Sequence, residues 1–195
     1  MVLEASLQEK VTRFGAQVSS LGGHFTNVLG MPAVREYVTK LASTSNAMEL
    51  VLSSDVSKED LFSSLPVQFK IATRSEMTRE AFYTALKTAK IGITNADVGV
   101  AETGTIIIAT SDESDRLVSA LPEIHVALLP GSRLVSSLQE AEPHISRMLN
   151  QGEHLAVSLI SASSRTSDIG GLVVLGVHGP KELHVLLVDE LPGDI

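Results

Sequence analysis

The sequence predicts an α/β fold with a mixed, largely parallel sheet and flanking helices. Helical and strand-length apolar stretches alternate over the first 90 residues, the pattern of a parallel sheet covered by helices. From Ile91 onward, seven strand-sized apolar runs crowd into about 100 residues, with Gly at their junctions, as in hairpins or a mixed sheet. Of 195 residues, 44% are hydrophobic and only 4% aromatic, so the core is expected to be aliphatic. A chain of this length buries roughly 70% of its unfolded surface.

Leu7, Val11, Phe14, Val18 and Leu21 form one stripe of an amphipathic helix that Gly22-Gly23 can end. Pro32 suits a first helical turn, and Val34, Tyr37, Val38 and Leu41 continue a second helix. Glu49–Leu52 and Phe69–Ala72 read as buried strands. Between them Ser57 can cap a short helix through Leu65, stopped by Pro66. Thr78–Ala89 puts Phe82, Ala85, Leu86 and Ala89 on one helical side. The later strands are Ile91–Thr94, Val98–Ala101, Thr105–Thr110, Ile124–Leu129, Leu155–Ile160, Leu172–Val177 and Leu183–Val188. Among them only Ser114–Leu121 and Ser137–Asn150 have helical texture, and Pro143 is placed to break the second. With no linker, repeat or low-complexity tract, one domain is expected over 1–195. Its helix–strand part (1–90) is expected to pack on a strand-rich part (91–190).

The formal net charge of −8, with 15 Lys+Arg scattered singly, gives no basic face for nucleic acid. Zero cysteines exclude disulfides, thiol catalysis and ordinary iron–sulfur ligation by this chain, and fit a cytoplasmic location. The charged N-terminus reads as neither signal peptide nor membrane span, and no transmembrane segment is expected. Phosphate-loop, dinucleotide-fingerprint and G-x-S-x-G patterns are absent from the sequence.

Three segments put polar groups at strand ends. In the first, Thr94-Asn95-Ala96-Asp97 precedes Glu102-Thr103-Gly104. Glu102 beside glycine-flanked amides can be a base or nucleophile, with N–H groups left for an anion. Taken alone, this stretch is read more simply as a hairpin turn in which Gly104 supplies a positive φ. The second, Ser161 to Asp168, holds four serines, Thr166 and Arg165, and reads equally as an anion cradle or a solvated loop. There Asp168 can pair with Arg165, move a proton, or cap the next turn of the chain. In the third, His178 lies between small residues before Gly179, where acid–base work or ligand donation is open to it. His184, inside an apolar strand, is read as a satisfied core histidine before it is read as a ligand, and His125 shares that ambiguity. Asp112, Glu113 and Asp115 read as a solvated helix start. No histidine pair has the i, i+4 spacing of a helical metal site, and no metal is expected.

Four stretches in register resemble the LUD domain of lactate-utilisation protein C. They are Ile93–Thr105, Leu121–His125, Ser164–Asp168 and Val174–Val185, within roughly half the chain. The resemblance implies a fold shared with glucosamine-6-phosphate deaminases, ribose-5-phosphate isomerases and CoA transferases. It implies a non-redox subunit that works with iron–sulfur and other lactate-utilisation subunits in oxidising L-lactate. On that view this chain binds no cofactor and the clusters sit on the partners. A small anionic or phosphorylated ligand would meet Thr94, Asp97, Thr103, Gly104, His125, Ser164, Arg165, Thr166 and Gly179, with Glu102, Asp168 and His178 as catalytic candidates. The chain departs from the family pattern at Ala162-Ser163, where Gly-Pro is usual, and at Gly170, where an acidic residue is usual. Two other readings stand beside it. One is a free-standing enzyme on a sugar phosphate or CoA thioester, with Glu102 as base or nucleophile. The other is a scaffold whose polar loops only stabilise turns.

Overall fold

The computed structural model describes residues 6–62, 69–150, 156–169, 172–176 and 178–189. Six parallel strands make the central sheet. In chain order they are β1 (His24–Val28), β2 (Glu49–Leu52), β3 (Lys70–Thr73), β4 (Ile91–Asn95), β7 (Ile124–Pro130) and β12 (Glu182–Val188), arranged β1-β12-β7-β4-β2-β3. All seven residues of β7 are buried, as a strand covered on both faces must be. A second sheet, ordered β8-β5-β6-β9, comprises β5 (Val98–Val100), β6 (Thr105–Thr110), β8 (Leu134–Val135) and β9 (Ala156–Ile160). The hairpin of β10 (Arg165–Ile169) and β11 (Leu172–Leu175) is antiparallel with an irregular register.

Period-2 burial sorts the layers. Leu50, Leu52, Ile91, Ile93, Val126, Leu128 and Leu186 face α2 (Gly30–Thr44) and α3 (Lys58–Phe62). The alternate residues Ala127, Leu129, Val185 and Leu187 face α1 (Leu7–Ser20) and the inner side of the second sheet, through Phe14, Val18, Ile106 and Ile108. Further along that same face, Val51 and Ala72 meet α4 (Arg79–Thr88) and α5 (Glu113–Val118) through Phe82, Leu86 and Val118. The outer side of the second sheet, Val98, Val100 and Ile107, is covered by α6 (Leu138–Asn150) at Ala141. Helix ends follow the expected chemistry. Ser6 and Glu9 form a capping box on α1, Thr78 caps α4, and Gly22 takes φ 79° just beyond α1.

The strands of the first 90 residues share one sheet with β4, β7 and β12. Three features differ from the sequence expectation. Strand β1 carries no apolar run and exists through its pairing with β12. Arg165–Ile169 is strand rather than loop, paired with β11. Helix α6 runs on through Pro143, which lies on its exposed side.

Candidate functional site

In a parallel sheet, ligands bind at the carboxyl ends of adjacent strands whose outgoing connections pass to opposite faces. Strands β2 and β4 are such a pair. From β2 the chain enters α3 on one face, while from β4 it enters β5 of the second sheet on the other. A shallow cleft of about 110 Å³ opens there, lined by Met31, Asp55, Val56, Ser57, Asp60, Asn95 and Leu128. That is below the range of drug-sized ligand sites and suits only a very small molecule.

The walls of the cleft are tied down by hydrogen bonds. Asn95 Nδ2 donates to the Asp55 carbonyl at 2.7 Å. The Ser53 hydroxyl donates to the Asp55 carboxylate, and the Ser54 hydroxyl and backbone N–H donate to Asp115 of α5. Asp97, just past β4, accepts from Ala109 N at 2.7 Å. Burial pushes the Asp55 carboxyl above its ordinary pKa, with Asp115 adding to the rise against the opposing Ser53 hydrogen bond. Burial also raises Asp97; the Ala109 N–H opposes the rise, the Asp55 charge adds to it and the Arg133 guanidinium opposes it. Arg133 is exposed in the short 3₁₀ turn that follows β7. Asp55 thus lines the cleft, and Asp97 carries a carboxyl that the charges of Asp55 and Arg133 both influence.

Thr94 and His125 lie beneath this edge, both 1% exposed, with Oγ1 and Nε2 at 2.9 Å. Complete burial, with a smaller effect from His184, pushes the His125 pKa down to about 3. His125 is therefore a neutral imidazole sealed inside the sheet, and its Nδ1 has no partner.

The Glu102 turn is the β5–β6 hairpin, with Gly104 at φ 65° and its N–H bonded to Val100 O at 3.0 Å. A Cβ on Gly104 would lie 2.8 Å from Val18 N, so the turn sits against the C-terminal end of α1, near the amino edge of the central sheet. Glu102 Oε1 accepts from Leu138 N at 2.8 Å, a carboxylate placed on the first turn of α6. Thr103 and Thr105 hydroxyls lie 2.7 Å apart, and Thr105 reaches Ser161 at 2.9 Å, so this hairpin and the Ser161 segment do meet. Ser164 in turn engages the third segment. It donates its N–H to Pro180 O, and its hydroxyl accepts from exposed His178 N at 3.3 Å, with Gly179 packed close against it. The polar positions therefore divide. Asp97 belongs to the carboxyl edge, with Thr94 just beneath it, while Thr103, Gly104, Ser164, His178 and Gly179 gather toward the opposite end. Arg165, Thr166 and Asp168 lie on β10 by their backbone; their side chains, like Gly170, lie outside the described residues.

Asp55, Asn95 and Arg133 were not singled out as candidates from sequence. The signal was present: each comes directly after an apolar strand run, in Ser53-Ser54-Asp55, Asn95-Ala96-Asp97 and Gly131-Ser132-Arg133.

The family model for the LUD domain matches residues 11–188. A protein named lactate utilization protein C from Shouchella clausii is 36% identical over 103 residues, 52% of this chain and 45% of that protein. One named lactate utilization protein C 1 from Bacillus mycoides is 37% identical over 106 residues, 53% of this chain and 45% of that protein. The match thus spans less than half the length of these relatives. In structure, a DUF162 family protein from Deinococcus radiodurans superposes with a TM-score of 0.68 at 20% identity, over 94% of this chain and 99% of that one, a likeness of fold.

Proposed function

The chain belongs to the LUD domain family, and on that premise we propose that it serves lactate utilisation as a cytoplasmic subunit with no redox centre of its own. Partners carrying iron–sulfur clusters would supply the electron acceptors, and a small hydroxy- or oxo-carboxylate would occupy the cleft between β2 and β4. The names of the relatives support the role, and the lack of cysteine in these 195 residues supports the non-redox assignment. No described helix is long and apolar enough to cross a membrane.

What supports the site is Asp97, just past β4, its carboxyl raised by burial and subject to the charges of Asp55, which lines the cleft, and of Arg133. A guanidinium offers two parallel donors to a carboxylate. A carboxylate with a raised pKa accepts the proton of a neighbouring hydroxyl more readily than an ordinary one. Arg133 would hold the acid group of a 2-hydroxy acid while Asp97 takes the hydroxyl proton; the Cα–H bond breaks as the carbonyl forms, its hydrogen and two electrons leaving together as a hydride equivalent to an acceptor on the partners. Glu102 contributes to the fold at α6 rather than to this step.

The test is purification of the tagged chain with its partners under anaerobic conditions, followed by L-lactate-dependent dye reduction. Asp97→Asn should lower turnover by about 100-fold or more, the usual worth of a positioned base. Arg133→Ala should act mainly by raising KM. Unchanged turnover and KM in both variants, with partners still bound, would remove the cleft as the site.

A further inference from the structure

His24 opens β1 and His184 lies within β12, and the parallel register sets them side by side. Their rings stack with centroids 4.3 Å apart and 21° between planes, on the face covered by α2. Glu182 stands two residues before His184, so the pleat turns it to that same face, and its Oε2 lies 3.1 Å from His184 Nε2. One ligand atom from each of the three falls within 4.8 Å of the other two. His184 is only 4% exposed, while His24 and Glu182 are open to solvent. Tyr37 of α2 places its hydroxyl 2.8 Å from His184 Nδ1.

We infer that His24, His184 and Glu182 form a binding site for a divalent transition ion of the zinc class, with a fourth position open to water. Imidazole nitrogens with one carboxylate suit such an ion, whereas calcium and magnesium call for oxygen donors. Bonds of about 2.0–2.2 Å in a tetrahedral site separate donors by roughly 3.3–3.5 Å. The His184–Glu182 pair is already close to that, while His24, exposed and at a strand start, has to turn its ring out of the stack on His184 so that its in-plane lone pair points at the ion. Tyr37 engages the ring nitrogen that faces away from Glu182, the outer hydrogen bond that fixes the tautomer and orientation of a metal-binding histidine. The ion would clamp β1, an edge strand of the sheet, to β12 and through Tyr37 to α2. The cluster lies at the amino ends of the strands, away from the β2–β4 cleft, and does not depend on the lactate role.

The purified chain is stripped with a chelator, titrated with Zn²⁺ by calorimetry and with Co²⁺ by visible absorption. One Zn²⁺ per chain, tetrahedral Co²⁺ bands and a raised Tm are expected. His24→Gln and Glu182→Gln alter exposed side chains and should keep the native circular dichroism. Each should weaken binding by more than Tyr37→Phe, for which the loss expected of an outer-shell partner is about 10–100-fold. His144→Gln and His178→Gln, outside the cluster, should bind as the unaltered chain does. No uptake by the unaltered chain, or equal uptake by folded His24→Gln and Glu182→Gln, overturns the assignment.

Discussion

Glu102 offers a sharp test of structural against catalytic duty. Its Oε1 accepts from Leu138 N at 2.8 Å, on the first residue of α6. Glu102→Ala deletes that acceptor and the negative charge at the helix N-terminus together. Loss of a capping acceptor costs about 0.5–2 kcal/mol, and loss of the charge about 0.3–1 kcal/mol. Ser137 and Glu140 still cap neighbouring amides, which holds the sum to about 1–2 kcal/mol. For a domain of this size that lowers Tm by about 2–8 °C. Glu102→Gln keeps an oxygen in place and loses only the charge, so it should retain more than half of the lost stability. Its remaining deficit should shrink in high salt. Urea unfolding at two ionic strengths reads both numbers from the midpoint at constant slope. An alanine variant as stable as the parent would refute the capping argument. So would a glutamine variant no better than alanine.

Packing and titration give two more outcomes. A Cβ on Gly92 would lie 2.1 Å from Val118 O and 2.9 Å from Pro122 Cγ, and a backbone carbonyl cannot step aside as a side chain can. Gly92→Ala should therefore cost at least about 1–3 kcal/mol in urea unfolding, and an unchanged midpoint would mean that the Val118 carbonyl at the end of α5 does not lie against Gly92 of β4. His125 stays neutral in the folded chain down to about pH 3, against an ordinary value of 6.5. Its folded pKa is depressed, so its contribution is whole above pH 6.5 and drains away as the pH falls from there toward 3. His125→Gln, which keeps a partner for Thr94, should flatten that acid limb; an identical limb in the variant would assign the loss to other groups.

Much of the fold is legible in the chain because burial writes itself locally. Thr105–Thr110 is apolar for most of its six residues and is strand β6 over those bounds, and Glu49–Leu52 likewise becomes β2. Thr78 announces the start of α4 and Gly22-Gly23 the end of α1. Strand β1 is not legible, since His24-Phe25-Thr26-Asn27 has no apolar period and owes its conformation to β12. The Ser161–Asp168 stretch misleads for a related reason: its serines suggest a loop, while pairing with β11 makes a strand of Arg165–Ile169.

The candidate site is less legible than the fold. Asp55 and Asp97 become neighbours only because β4 lies next to β2 and sends the chain to the other face. His24 and His184 meet only because the two ends of the chain lie side by side in register. Residue order alone determined which segments are helix or strand, which faces are apolar, that the scattered Lys and Arg build no basic face for nucleic acid and that no cysteine is available for a cluster. Tertiary structure alone decided the order of the strands, and with it which polar side chains share a cleft. Periodicity records how deeply a face is buried, whereas hydrogen-bonded register between distant strands records what it is buried against, and only the second brings a site together.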